Sequence, residues 1–215
     1  MCIRDRTGTV QRGAARSFDA TVDLTMGGKT QTRDLQVNHP LRIGSTKVHL
    51  LGHGYAADVV VRDGDGKVAY SGPVVFLPQD ANFKSVGVIK APDARPDRLA
   101  FQGFFLPTGA ITAGGPTSLF PDALNPQLYL TAWYGKPTVE TGVPSNIYTL
   151  DTTGLTQVTN GKDKARFVLS PGQRYKLPDG KGSIQFNGWQ RWAKIQVSQN
   201  PGLPLTFLSL SLIHI

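Results

Sequence analysis

The sequence predicts an all-β protein, a sandwich or open barrel of about ten short antiparallel strands with a Pro-rich irregular middle. Three observations carry this. Apolar and polar residues alternate with period two through most segments. No stretch keeps the apolar spacing of an amphipathic helix over three turns. And 24 glycines and 15 prolines punctuate the 215 residues, more than the roughly 12% of average usage.

The elements follow in order. Phe18, Ala20, Val22 and Leu24 share one face of a first strand. Gly27-Gly28 then turns the chain into a partner over 30–37, because a tight hairpin needs positive φ. A strand over 46–51 follows Pro40 and Gly44. Strands over 58–61 and 67–70 flank Asp63-Gly64-Asp65-Gly66, the clearest hairpin signal in the chain. Residues 73–77 form a short buried run closed by Pro78. From 90 to 144, prolines 92, 96, 107, 116, 121, 126, 137 and 144 prevent a long helix or central strand. Strands over 99–105 and 128–133 joined by ordered loops are expected there, with a short helix near 121–124. Strands over 147–150 and 155–159 surround a turn at 151–154, and 165–169 follows. Asn187-Gly188 signals a further tight turn between 183–186 and 189–198, the latter with Ile195 and Val197 on one face and Trp192 on the other.

The two ends read differently from the rest. Residues 1–8 and 209–215 resemble translated sequencing adaptor and are set aside from fold reasoning. This leaves one domain over 9–202, and an apolar start over 203–208 that reads as a truncated membrane helix or as a last edge strand. No apolar run reaches the roughly 18 residues of a membrane span.

Charge and composition exclude several function classes. The net charge is +8 and the pI about 9.7, compatible with nucleic acid, acidic lipid or a haem propionate as partner. But Lys and Arg occur singly along the chain, so no basic helix or arm exists and nucleic acid is not an expected partner. The single cysteine, Cys2, excludes an internal disulfide framework and a cysteine-cluster zinc site. No Gly-x-Ser-x-Gly elbow is present. Asp63-Gly-Asp-Gly resembles the start of a calcium loop, but its twelfth position is Val74 rather than Glu, so turn geometry accounts for the pair.

The remaining candidates are histidines and aromatics. Among His39, His49 and His53, the last lies between Gly52 and Gly54 and precedes Tyr55, a backbone that lets a flat ligand approach and an imidazole that can ligate haem iron. The commoner reading is a histidine bonded to its neighbours. Trp192, beside Arg191 and Lys194, offers a ring for a sugar or a porphyrin edge; Trp189 and Trp133 are the others, and core packing is the commoner use.

Whole segments then become familiar. Val37-Asn38-His39-Pro40-Leu41-Arg42-Ile43-Gly44 and Val48-His49-Leu50-Leu51-Gly52-His53-Gly54-Tyr55-Ala56 resemble a stretch of the ResB family, with His49 where Tyr is common and Ala57 where Pro is common. So do Phe76-Leu77-Pro78-Gln79-Asp80, the runs from Phe101 to Pro107 and from Phe120 to Pro126, and the stretch from Leu177 to Gly202. The resemblance implies a non-catalytic extracytoplasmic domain of a membrane protein. With a ResC-like membrane protein it would deliver haem for attachment to apocytochrome c. The family's haem-handling histidines sit in or near membrane segments, so no ligand carries over to this chain and no cofactor is expected to reside in it. His53, Tyr55 and Trp192 stand as contact candidates for haem. The competing expectation is a secreted carbohydrate- or wall-binding sandwich using Trp189 or Trp192. A hydrolase on a β scaffold is the third.

Overall fold

A computed structural model describes residues 2–5, 15–136, 146–161 and 163–202, with side chains from residue 20 onward. The segments 203–208 and 209–215, and residues 1 and 6–8 of the segment 1–8, lie outside them. The protein is 65% strand, built from several antiparallel sheets with no closed barrel, as a sandwich requires. Among the described residues no helix is long and apolar enough to cross a membrane, which says nothing of strands.

The chain divides into two compact units, 1–53 with 193–215, and 54–192. In the first, β1 (Cys2–Asp5), β2 (Ala15–Met26) and β3 (Lys29–Gln36) form a three-stranded sheet. Gly27 and Gly28, at φ 55° and 77°, make the β2–β3 turn. β4 (Leu41–Ile43) pairs with the start of β5 (Thr46–Asp63). Ala20, Leu35 and Leu50 form a small core here.

The second unit is the sandwich. One sheet holds β6 (Val68–Val75) on β5, with β17 (Arg174–Lys176) on β18 (Gly182–Gln199), and β18 beside β5. The other is ordered β13-β12-β9-β8-β7, with β16 also on β12: β7 (Leu77–Pro78), β8 (Ser85–Ala91), β9 (Arg98–Leu106), β12 (Gln127–Gly135), β13 (Thr156–Gln157) and β16 (Arg166–Leu169). Hairpins β10 (Gly109–Thr112)–β11 (Gly115–Ser118) and β14 (Thr159–Asn160)–β15 (Asp163–Lys164) decorate it. Period two explains the core. Tyr55, Ala57, Val59 and Val61 of β5 and Ile184 and Phe186 of β18 meet Ile89, Phe101, Phe105, Leu128, Leu130 and Phe167 across the interlayer space.

Four sequence expectations change. The strands over 46–51 and 58–61 are one, β5, running through Gly52-His53-Gly54. Asn187-Gly188 does not turn but lies inside β18. Asn-Gly permits a reversal without forcing one, and β18 continues through it as the hydrogen-bonded neighbour of β5, while β17 pairs only with the start of β18, Ser183 to Gln185. Residues 147–150 form turn rather than strand, with Ile147 and Tyr148 in solvent. Residues 121–124 form no helix, because Pro121 and Asp122 are drawn into tertiary hydrogen bonds described below.

The Asp63–Gly66 turn forms as expected. Asp63 is buried, its Oδ1 accepting from the backbone N–H of Asp65 and Lys67 at 3.0 and 2.9 Å and its Oδ2 from that of Arg95 at 3.3 Å. The carboxylate therefore welds the hairpin to the loop before β9. Asp63→Ala is expected to cost about 3 kcal/mol by leaving three donors unmet, lowering Tm by roughly 6–12 °C in thermal unfolding, whereas Asp65→Ala changes it little.

Candidate functional site

The segments picked out from the sequence converge on Tyr55 in the second unit. Alternation along β5 points its ring into the core, where it is 2% exposed and stacks on Phe105 of β9 at 5.2 Å between centroids. Phe83 and Trp189 meet it edge-on at 5.9 and 5.3 Å. The phenol oxygen donates to the backbone carbonyl of Pro121 at 2.8 Å and lies 3.5 Å from Asp122 Oδ1. Asp122 in turn accepts from Arg191 Nη2 at 2.7 Å, and the Arg191 guanidinium lies 5.4 Å from the Tyr55 ring centroid.

The backbone of Tyr55 is as constrained as its ring. Its carbonyl accepts two hydrogen bonds, from Phe76 N–H at 3.0 Å and from the Trp192 indole at 3.1 Å. The same indole N–H also reaches the Phe76 carbonyl at 3.2 Å. Trp192 can sit there only because residue 54 is glycine: a Cβ on Gly54 would lie 2.8 Å from the indole. The Phe76–Asp80 segment contributes a turn as well. Asp80 Oδ1 accepts from the N–H of Asn82 and Lys84, both at 3.0 Å, and the turn places Phe83, at φ 57°, against Tyr55.

The electrostatics of the cluster suit holding rather than proton transfer. Burial pushes the Tyr55 phenol up to about 12, with Arg191 opposing and Asp122 adding to the rise. Tyr55 is therefore a neutral donor at physiological pH. Asp122 and Arg191 neutralise one another. Among the described residues no three His, Cys, Asp or Glu side chains gather in a way that could hold a metal ion.

Of the three residues the sequence nominated, Tyr55 and Trp192 are thus brought together through one carbonyl. Trp192 is half-buried with its N–H spent inside the protein. His53 is half-buried on β5 and belongs to the first unit. His39 is exposed and His49 half-buried in that same unit. Sequence reasoning missed Pro121, Asp122 and Arg191. The run from Phe120 to Pro126 flagged the first two, but nothing local ties Asp122 to an arginine 69 residues away. An open groove of about 560 Å³ lies elsewhere in the unit, lined by Arg98, Tyr134, Lys136, Gly154 and neighbours, and includes none of the nominated residues.

Residues 4–215 match the family model described as the ResB-like family. No curated protein and no solved structure matches the chain.

Two outcomes test the cluster. Tyr55→Phe is expected to cost about 1–2 kcal/mol, because the Pro121 carbonyl loses its donor. In the native chain the phenol is favoured neutral, so stability holds below pH 10 and falls as pH rises toward 12. A denaturant midpoint that declines over this window in the native chain, and less so in Tyr55→Phe, checks both. Separately, Gly54→Ala is expected to expel the Trp192 indole, seen as a red shift of tryptophan emission without loss of the strand signal in circular dichroism.

Proposed function

Since the chain belongs to the ResB-like family, a family of cytochrome c biogenesis components associated with the membrane, we propose that it is the extracytoplasmic domain of such a component. In this reading it works with a ResC-like membrane protein to bring haem to apocytochrome c, and performs no bond-making step itself. The observation that supports this is the Tyr55 cluster. Its hydrogen-bonding groups are consumed within the protein, its one ion pair is neutralised, and its phenol titrates far from neutrality. Such a cluster fixes the shape of a docking surface.

Haem is cargo here. A porphyrin presents a flat apolar face and two carboxylates, and the nominated residues divide by what they can offer it. His53 and Trp192 are half-buried. Tyr55 is enclosed and acts by holding the Pro121–Asp122 loop in place. His53 is then the contact that a haem titration reports on most directly.

The full chain, titrated with haem and followed at the Soret band, is expected to shift it, with the shift reduced in His53→Ala. Co-purification with a ResC-like partner is expected alongside. A chain that produces neither a Soret shift nor association with the partner would overturn the reading.

A further inference from the structure

The sequence holds two Asn-Gly pairs, Asn160-Gly161 and Asn187-Gly188. Asparagine before glycine can cyclise, because the glycine nitrogen lies within reach of the side-chain carbonyl carbon and no Cβ hinders its approach. Both asparagines are exposed, and a Cβ added at either glycine would meet nothing within 4 Å. Space and solvent therefore do not separate the two. Backbone freedom does.

Asn160 sits at the tip of the β14–β15 hairpin. The two strands have two residues each and form a sheet of their own, and Thr159, Asn160, Asp163 and Lys164 are all exposed. The nearest buried residues are Val158 and Ala165 at the base, where Val158 N–H donates to the Ala132 carbonyl at 2.8 Å and Ala165 N–H to the Val158 carbonyl at 2.9 Å. Beyond that base the tip rests on a two-stranded ladder, which by itself is marginal in water. The hairpin closes at the Asn160–Asp163 pair, and Gly161 leaves it at φ 68°. The bond that closes such a turn runs from the last residue's N–H to the first residue's carbonyl, so it does not use the Gly161 nitrogen.

Asn187 is held from both sides. It lies inside β18, the neighbour of β5. Phe186 before it is fully buried, its N–H donating to the Gln173 carbonyl at 2.9 Å and its carbonyl accepting from Gly172 N–H at 2.6 Å. Trp189 after it meets the Tyr55 ring edge-on at 5.3 Å. Turning the 187–188 peptide toward the Asn187 side chain means drawing this strand out of the sandwich. The Asp63–Gly66 turn shows another form of protection: Gly64 N–H donates to the Arg95 carbonyl at 3.0 Å and Gly66 N–H to the Asp63 carbonyl at 3.1 Å.

We propose that Asn160 is a site of spontaneous deamidation and that Asn187, in the same dipeptide, is spared. The Gly161 nitrogen gives up its proton and bonds to Asn160 Cγ; the Cγ–Nδ2 bond breaks, and Nδ2 takes up a proton and leaves as ammonia. Water then opens the cyclic imide at either carbonyl, giving aspartate or isoaspartate. One water enters, one ammonia leaves, and nothing is oxidised or reduced. The new carboxylate faces Asp163 directly across the hairpin, a destabilising like-charge pair, and isoaspartate also adds a methylene to the main chain. The modification thus loosens one hairpin irreversibly. It is independent of haem and of any partner.

The test follows the full chain in mildly alkaline buffer at physiological temperature. Samples taken over time are digested, both Asn-Gly peptides are quantified by mass spectrometry, and isoaspartate is labelled with its methyltransferase. In the folded chain Asn160 is expected to convert at close to its rate in guanidinium. Asn187 is expected to convert more than about tenfold slower than in guanidinium, because it reacts only when its strand opens. Isoelectric focusing is expected to show an acidic form one charge below the +8 of the native chain. That form is expected to disappear in Asn160→Gln, whose longer side chain would have to close a larger ring. Three results would overturn the proposal: Asn160 slowed by folding as much as Asn187; Asn187 converting as fast as Asn160 in the folded chain; or an acidic form that persists undiminished in Asn160→Gln.

Discussion

The sandwich of residues 54–192 is organised around the carbonyl and phenol of Tyr55. The carbonyl uses both lone pairs, one on the Phe76 amide and one on the Trp192 indole. The phenol holds the Pro121 carbonyl. Three stretches far apart in sequence are thereby locked to one residue, and a buried polar group that lost its partner would cost as much as several apolar contacts return. The arrangement accounts for the glycine at 54, for the positive φ that aims Phe83 at the ring, and for the absence of a helix at 121–124. Each is a local concession to the same set of bonds.

The cluster also sets what its surroundings can do. A phenol that burial pushes up to about 12 neither takes nor gives a proton at neutral pH, and the carboxylate and guanidinium beside it are paired with one another. They do fix a loop. A network of side-chain and backbone hydrogen bonds lowers the entropy that loop would otherwise lose on meeting a partner. The cluster thus gives the loop a rigid base, in a chain of a family of cytochrome c biogenesis components.

Much of the fold was legible from residue order. Gly27-Gly28 and Asp63–Gly66 turn where their chemistry demands it, because positive φ is a property of the residues themselves. Alternation located β5, β9 and β12 and the faces they bury. Asn187-Gly188 misled for the complementary reason: its preference is weak beside the pairing of β18 with β5, and that pairing is invisible in the sequence. Residues 147–150 alternate suitably yet form a turn, with no strand paired to them among the described residues.

By itself, then, the sequence determined the all-β class, the turns, the core faces, and the family through the order and spacing of short segments. These depend on intrinsic φ preferences and on period-two burial, both encoded within a few neighbouring residues. Tertiary structure alone decided that Tyr55 and Trp192 meet through the Tyr55 carbonyl, that Asp122 meets Arg191, and that the Pro121–Asp122 loop is held by the Tyr55 phenol. Those contacts join residues 69 and 137 positions apart. Their partners are chosen by which strands lie side by side, a choice made by the sum of the whole core rather than by any local stretch of chain.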